Sequence, residues 1–160
     1  DSIVNSMNAG SNHGHGPVVE SLARFLADTY ALYLKTQNYH WNVEGPQFAQ
    51  LHSLFEEQYN DLATTVDEIA ERIRALGAPA PGSFAEFQRL GTLAAPLQQA
   101  PAAELVADLL AGQHNVIGTA RAVLDAAREA GDAVTEGMAV DRIAQHEKAA
   151  WMLKSLVRGQ

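Results

Sequence analysis

The 160-residue sequence predicts an all-α chain, a four-helix bundle with one long connection at its middle. Three observations carry this. Ala and Leu are abundant while strong β-formers are sparse, a composition that favours helix over sheet. Apolar residues recur at spacings of three and four through four long stretches. Between those stretches stand the breakers Gly45-Pro46, "GAPAPG" and "EAGDAVTEG". The length suits one compact domain with a sizeable core.

Residues 1–16, "DSIVNSMNAGSNHGHG", are rich in Asn, Ser and Gly and read as an N-terminal tail, leaving 17–160 for the bundle. Pro17 suits the first turn of a helix, and Val18, Leu22, Phe25, Leu26, Thr29 and Tyr33 line one face of it as far as about Asn42. Gly45 is its stop and Pro46 the next start; the second helix runs to Leu76, with Leu51, Leu54, Phe55, Leu62, Val66, Ile69 and Ile73 inward. In the connection, 78–100, "SFAEFQRL" predicts a short helix capped by Ser83, with Glu86 completing a capping box. A third helix spans Pro101 to Ala130, burying Leu105, Leu109, Val116, Ala120, Val123 and Ala127. A fourth spans Thr135 to Val157, with Met138, Ile143, Trp151 and Leu156 as its anchors. Four long helices and one long middle connection make the ferritin-like arrangement. No internal repeat is present.

Charge and composition exclude several functions. A formal net charge of −8 makes the general surface a poor partner for duplex DNA, whose binding depends on neutralising phosphates with Lys and Arg. An acidic surface attracts cations instead. No run of 18 apolar residues exists to span a membrane, and no basic segment followed by an apolar run marks a signal peptide. The absence of cysteine removes disulfides and thiolate metal sites and fits a reducing compartment.

The chemistry-bearing residues concentrate around the second helix. Of six histidines, His13 and His15 lie in the tail, His40 ends the first helix, His52 begins the second, and His114 and His146 sit on the third and fourth. His52 with Glu56, and Asp67 with Glu71, are i, i+4 pairs. At 100° per residue the four fall at about 0°, 40°, 60° and 100°, one stripe of imidazole and carboxylate, ligands suited to iron, manganese or zinc. Asp67 follows His52 by 15 residues, roughly 22 Å along a helix axis. The two ends of the stripe cannot hold one ion within one chain. The stripe is either a solvated helix face or one site; if it is one site, a second copy of the helix must lie antiparallel, crossing near Asp61 and Leu62, so that His52 of one chain faces Asp67 and Glu71 of the other in two equivalent sites. His40 adds a second nitrogen on the His52 side. No histidine has Glu three residues before it, so the Glu-x-x-His motif of sites inside ferritin-like bundles is missing.

The stretch "NYHWNVEGPQFAQLHSLFEEQYNDLATTVDEIAERI", 38–73, with "EKAAWML" at 147–153, resembles the Dps proteins, the miniature ferritins named DNA-binding proteins from starved cells. The resemblance covers nearly all of the chain after the tail. It implies a hollow dodecamer with ferroxidase sites at its dimer interfaces, each oxidising two Fe(II) with hydrogen peroxide or O2, and a ferric mineral stored inside, in the bacterial cytoplasm or nucleoid. It implies His40 and His52 as ligands from one subunit and Asp67 and Glu71 as ligands from its mate. Glu56 matches an acidic position that is often Asp. Trp41 matches a tryptophan beside the site that intercepts oxidising equivalents or packs there. Zinc or manganese can substitute for iron in such a ligand set. Asp132, Glu136 and Asp141 are the candidates for an acidic iron-entry pore, although relatives often carry Asp where this chain has Gly137.

Two rival readings follow from the same resemblance. Some family members condense DNA through Lys/Arg-rich tails, but residues 1–16 contain no basic residue, and Lys154 and Arg158 are the only ones near the C-terminus. Weak or no DNA binding is expected. The other rival is a protective particle without iron chemistry. His13 and His15, two histidines in a short polar segment, are read as solvated rather than as a further metal site.

Overall fold

The computed structural model describes residues 16–157. It contains α1 (Gly16–Asn42), α2 (Phe48–Ala75), α3 (Phe84–Leu90), α4 (Ala102–Ala130) and α5 (Ala133–Val157), with no strand among the described residues. The expected tail, residues 1–15, lies outside them, and Gly16 already belongs to α1. α1 packs against α2, α4 and the short α3, while α5 packs on α4. The core is made by Leu22, Phe25, Leu26 and Leu32 of α1, Leu51, Phe55, Leu62, Ile69 and Ile73 of α2, and Leu109, Val116, Ala120 and Val123 of α4. These are largely the faces the spacing predicts.

The chain's punctuation also follows the sequence. Gly45 takes φ 116°, a conformation that L side chains rarely adopt, and the N–H of Phe48 bonds to its carbonyl at 3.0 Å. Pro46 and Gln47 therefore form a turn, and α2 begins two residues later than Pro46. Gly131 ends α4 in the left-handed region at φ 71°, with the Asp132 N–H reaching back to the Ala127 carbonyl at 2.8 Å. Ser83 caps α3, accepting from the Glu86 N–H at 3.2 Å. The Glu86 carboxylate returns to the Gly82 N–H at 2.9 Å and the Ser83 hydroxyl at 3.1 Å, a variant of the expected box that holds Glu86 below the usual carboxylate range.

Buried polar residues on α1 fasten the crossover. The Asp28 carboxylate accepts from the Thr92 N–H at 2.6 Å and the Thr92 hydroxyl at 2.8 Å. Tyr39 accepts from the Leu97 N–H at 2.7 Å and donates to Asp108 at 2.5 Å, and Lys35 lies 3.1 Å from the same carboxylate. Each bond satisfies a polar group that would otherwise be stranded under the connection. Burial, then the bond to Asp108, pushes the Tyr39 phenol well above its ordinary range.

The last helix departs from expectation. Trp151 is 64% exposed, not an anchor, and Met138, Ile143 and Leu156 are only half-buried. The inward face of α5 instead carries Thr135, Ala139, Arg142, His146, Ala150 and Leu153. This polar stripe is stable because each member finds a partner: Arg142 grips Asp61 of α2 at 3.2 and 2.8 Å, and His146 bonds Gln113 of α4 at 2.9 Å.

α5 also starts at Ala133 rather than Thr135, because Asp132 is its cap. The Asp132 carboxylate accepts from the Thr135 N–H at 3.0 Å, the Thr135 hydroxyl at 2.6 Å and Arg72 at 3.0 Å. Desolvation acts to raise its pKa, but the bonds to Thr135 and the charge of Arg72 outweigh it, and the group is held below the ordinary range. Asp132→Ala is expected to destabilise the chain by about 2 kcal/mol, measured as a shift in urea midpoint at unchanged slope. A change within a few tenths of that unit would contradict the cap.

Candidate metal centre

The turn at 43–47 folds α2 back along α1 and brings the end of one helix beside the start of the other. His40 and His52 meet there with rings stacked, centroids 3.7 Å apart and planes 14° from parallel. Their bonds are reciprocal. The Nδ1–H of His40 donates to the His52 carbonyl at 2.7 Å, and the Nδ1–H of His52 donates to the His40 carbonyl at 2.7 Å. A carbonyl oxygen only accepts, so each Nδ1 carries the proton and each Nε2 is left with its lone pair. Such a bond fixes ring and tautomer for a metal-binding imidazole. The pair is further held by Phe48, 5.0 Å from the His52 ring, and by Tyr59, whose ring meets the edge of His40 at 5.1 Å.

About four helical turns further along α2, Asp67 and Glu71 form the second grouping, both exposed. A hydrogen bond between the carboxyls, then the charge of Asp67, raises the Glu71 pKa. Two neighbouring carboxylates also form a ready seat for a cation, which relieves their repulsion. Glu56, exposed, lies between the two groupings.

Within one chain these groups stay apart. Among the described residues no three His, Asp or Glu side chains converge on a position that could hold a metal ion. His40 of α1 joins His52, and Asp67 joins Glu71, but His52 and Asp67 stand roughly 22 Å apart along α2.

The centre of the bundle is closed to metal by its own bonding. His146, buried there, donates Nδ1–H to Gln113 and takes an Arg142 N–H on Nε2 at 3.3 Å. Burial first, then the Arg142 charge, lowers its pKa to about 3, so the ring is neutral with both nitrogens occupied.

Of the expected pore acids, Asp132 is instead occupied as a helix cap and ion-pair partner. Glu136 pairs with Arg128 at 2.9 Å, and Asp141 is exposed. Trp41 is 60% exposed beside His40. Sequence reasoning overlooked Tyr59 and Phe48 as neighbours of the histidines. Tyr59 follows His52 by seven residues, which places both on one face of α2, and that spacing was the available signal.

A family model described as the ferritin-like domain matches residues 19–159. The chain is 33% identical to the DNA protection during starvation protein of Porphyromonas gingivalis, over 87% of each chain. The crystal structure of the Dps protein of Vibrio cholerae O1, described as a member of a broad superfamily of ferritin-like diiron-carboxylate proteins, superposes with TM-score 0.87 at 31% identity, covering 91% of both chains. The chain belongs to the Dps family. A low temperature-induced protein of Nostoc sp. is 40% identical over 89% of this chain and 81% of its own. The matched residues, 19–159, take in α2 to α5 whole and all but the first three residues of α1. No helix among the described residues is long and apolar enough to cross a membrane.

Proposed function

We propose that this Dps-family chain stores iron and protects against oxidative stress, oxidising Fe(II) at sites shared by two copies. Hydrogen peroxide or O2 is the oxidant, and ferric mineral collects in a hollow dodecamer. One observation carries the reading: His40 of α1 and His52 of α2 are locked as Nδ1–H tautomers with both Nε2 lone pairs free, and α2 also presents Asp67 and Glu71. This donor set fits iron. Imidazole nitrogen accepts Fe(II), and carboxylates favour the harder Fe(III), so the mixture draws the metal toward oxidation.

The roles divide as follows. His40 and His52 of one subunit hold the substrate iron through Nε2. Asp67 and Glu71 of the mate bring negative charge, and the entering cation relieves their mutual repulsion. Glu56 reaches the same region and offers a further oxygen. Two Fe(II) and one hydrogen peroxide give two Fe(III) and, with two protons, two waters, so no hydroxyl radical is released. Zinc or manganese competes for the same donors. The net charge of −8 favours Fe(II) over DNA as the partner.

The deciding experiment is peroxide-driven Fe(II) oxidation by the His52→Ala, Asp67→Ala double variant, checked by sedimentation to assemble like the parent. Its initial rate is expected to fall by roughly tenfold or more, the usual cost of removing metal ligands or their supports. A parent-like rate would falsify the assignment.

A further inference from the structure

A cleft of about 810 Å³ opens between the end of α1, the last residues of the crossover and the first turn of α4. Its volume falls within the roughly 300–1,000 Å³ of small-molecule sites. None of the proposed metal ligands lines it. Tyr39 and Leu105, both buried, form its floor. The Tyr39 hydroxyl accepts from the Leu97 N–H at 2.7 Å and donates to Asp108, beside which Lys35 lies at 3.1 Å. The crossover wall is thus tied to the bundle before any ligand arrives.

The lining selects one chemistry. Four side-chain amides face the cleft, those of Asn38, Asn42, Gln98 and Gln99, together with the Glu44 carboxylate. No Lys, Arg or His is among its described lining residues, so nothing there suits a phosphate, a sulfate or a nucleic-acid backbone. Its one aromatic ring, Tyr39, is buried and leaves no free face for a base to stack on. Asn42 Nδ2 donates to the Asn38 carbonyl at 3.0 Å and to the Asn38 Oδ1 at 3.1 Å. Both its protons are spent, so Asn42 presents Oδ1 as an acceptor while Asn38 presents Nδ2 as a donor. A hydroxyl both donates and accepts, and neighbouring hydroxyls on one ring match that alternation. Gln99 holds φ 52°, in the left-handed region that residues other than Gly, Asn and Asp seldom adopt. A glycine would sit there without strain, yet the position carries a long amide that lines the cleft. Leu97 and Pro101, both exposed, add apolar surface against which the C–H face of a sugar ring can lie.

We propose that this cleft binds a neutral oligosaccharide. The amides and Glu44 take its hydroxyls, and Leu97 and Pro101 take its ring faces. Glu44, on a chain of net charge −8, disfavours acidic sugars. Binding there does not depend on iron.

Saturation-transfer difference NMR on the assembled full chain tests the site with four probes: maltotriose, cellotriose, the acidic trimer of galacturonic acid, and a blocked Asn-Gly-Asn-Gly peptide. At least one neutral trisaccharide is expected to receive saturation on its ring protons, and the acidic trimer none. Asn42→Leu is expected to raise the Kd of that trisaccharide by roughly three- to tenfold, the worth of one hydrogen-bonded pair. Gln99→Gly separates binding from structure. Glycine relieves the positive φ, so the urea midpoint is expected to hold or rise while binding weakens by a similar factor. The site is refuted if neither neutral trisaccharide receives saturation, if the acidic trimer binds as well as they do, or if both variants bind like the parent. Transfer to the peptide alone makes the cleft a peptide groove and overturns the assignment too.

Discussion

Assemblies of His52→Ala alone and of Asp67→Ala alone are expected to oxidise Fe(II) poorly, yet dissociating, mixing and reassembling the two should restore activity. The size of the recovery follows from symmetry. In the proposed shared site, each dimer built on an antiparallel crossing of α2 has two sites, each taking histidines from one chain and carboxylates from the other. In a mixed dimer one site carries both lesions and the other carries neither. Random pairing makes half the dimers mixed, so about a quarter of all sites regain the full ligand set. A site confined to one chain gives no recovery, because every chain keeps its own lesion. Stopped-flow measurement of ferric product, before and after reassembly at equal protein concentration, separates the two. A mixture that stays at the average of its parents removes the shared site. The locked histidine pair joins the end of α1 to the start of α2, the Asp67–Glu71 pair lies far along α2, and no three such groups converge within the described residues.

Much of this was legible in the sequence because it depends on near neighbours. Helix faces follow from spacing, and the stops at Gly45 and Gly131 from backbone freedom. The Ser83–Glu86 cap lies within four residues. The stripe of His52, Glu56, Asp67 and Glu71 was visible for the same reason. What escaped depends on distant partners. The inward face of α5 is polar, and Arg142 and His146 are acceptable there only because Asp61 and Gln113, 81 and 33 residues away, meet them. A search for apolar anchors therefore found Met138, Ile143 and Leu156, which pack against the core, but wrongly chose Trp151 and missed the buried polar residues beside them. The carbonyl bonds that set the histidine tautomers were equally hidden, since any residue type carries a carbonyl. Asp132 reads as a pore candidate in the sequence, and its ion pair with Arg72, 60 residues earlier, is hidden by that separation.

His146 makes stability depend on pH in a direction that the geometry dictates. The buried ring is bonded to Gln113 through Nδ1 and faces Arg142 at Nε2, with Phe25 set edge-on against it at 6.2 Å. A proton on Nε2 would displace the Arg142 bond and set two cations side by side without water. Burial and then Arg142 therefore lower the pKa to about 3, and the more distant Asp61 charge pulls it back only in part. An unfolded histidine titrates near 6.5. Between these values the unfolded chain binds a proton that the folded chain refuses, so stability is full above about pH 6.5 and declines as pH falls toward 3. At pH 4 the loss from this residue is of order 3 kcal/mol. Carboxylates add their own acid slope, so the quantity to compare is the difference between the parent and His146→Gln, measured by urea unfolding at pH 7, 5.5 and 4 with subunit concentration fixed. The variant is expected to be less stable at pH 7, where it loses a well-bonded ring, and to fall less steeply on acidification. Its disadvantage should therefore shrink or reverse by pH 4. Parallel curves would mean that His146 is protonated in the folded chain and that the Arg142 contact is not what holds the ring neutral.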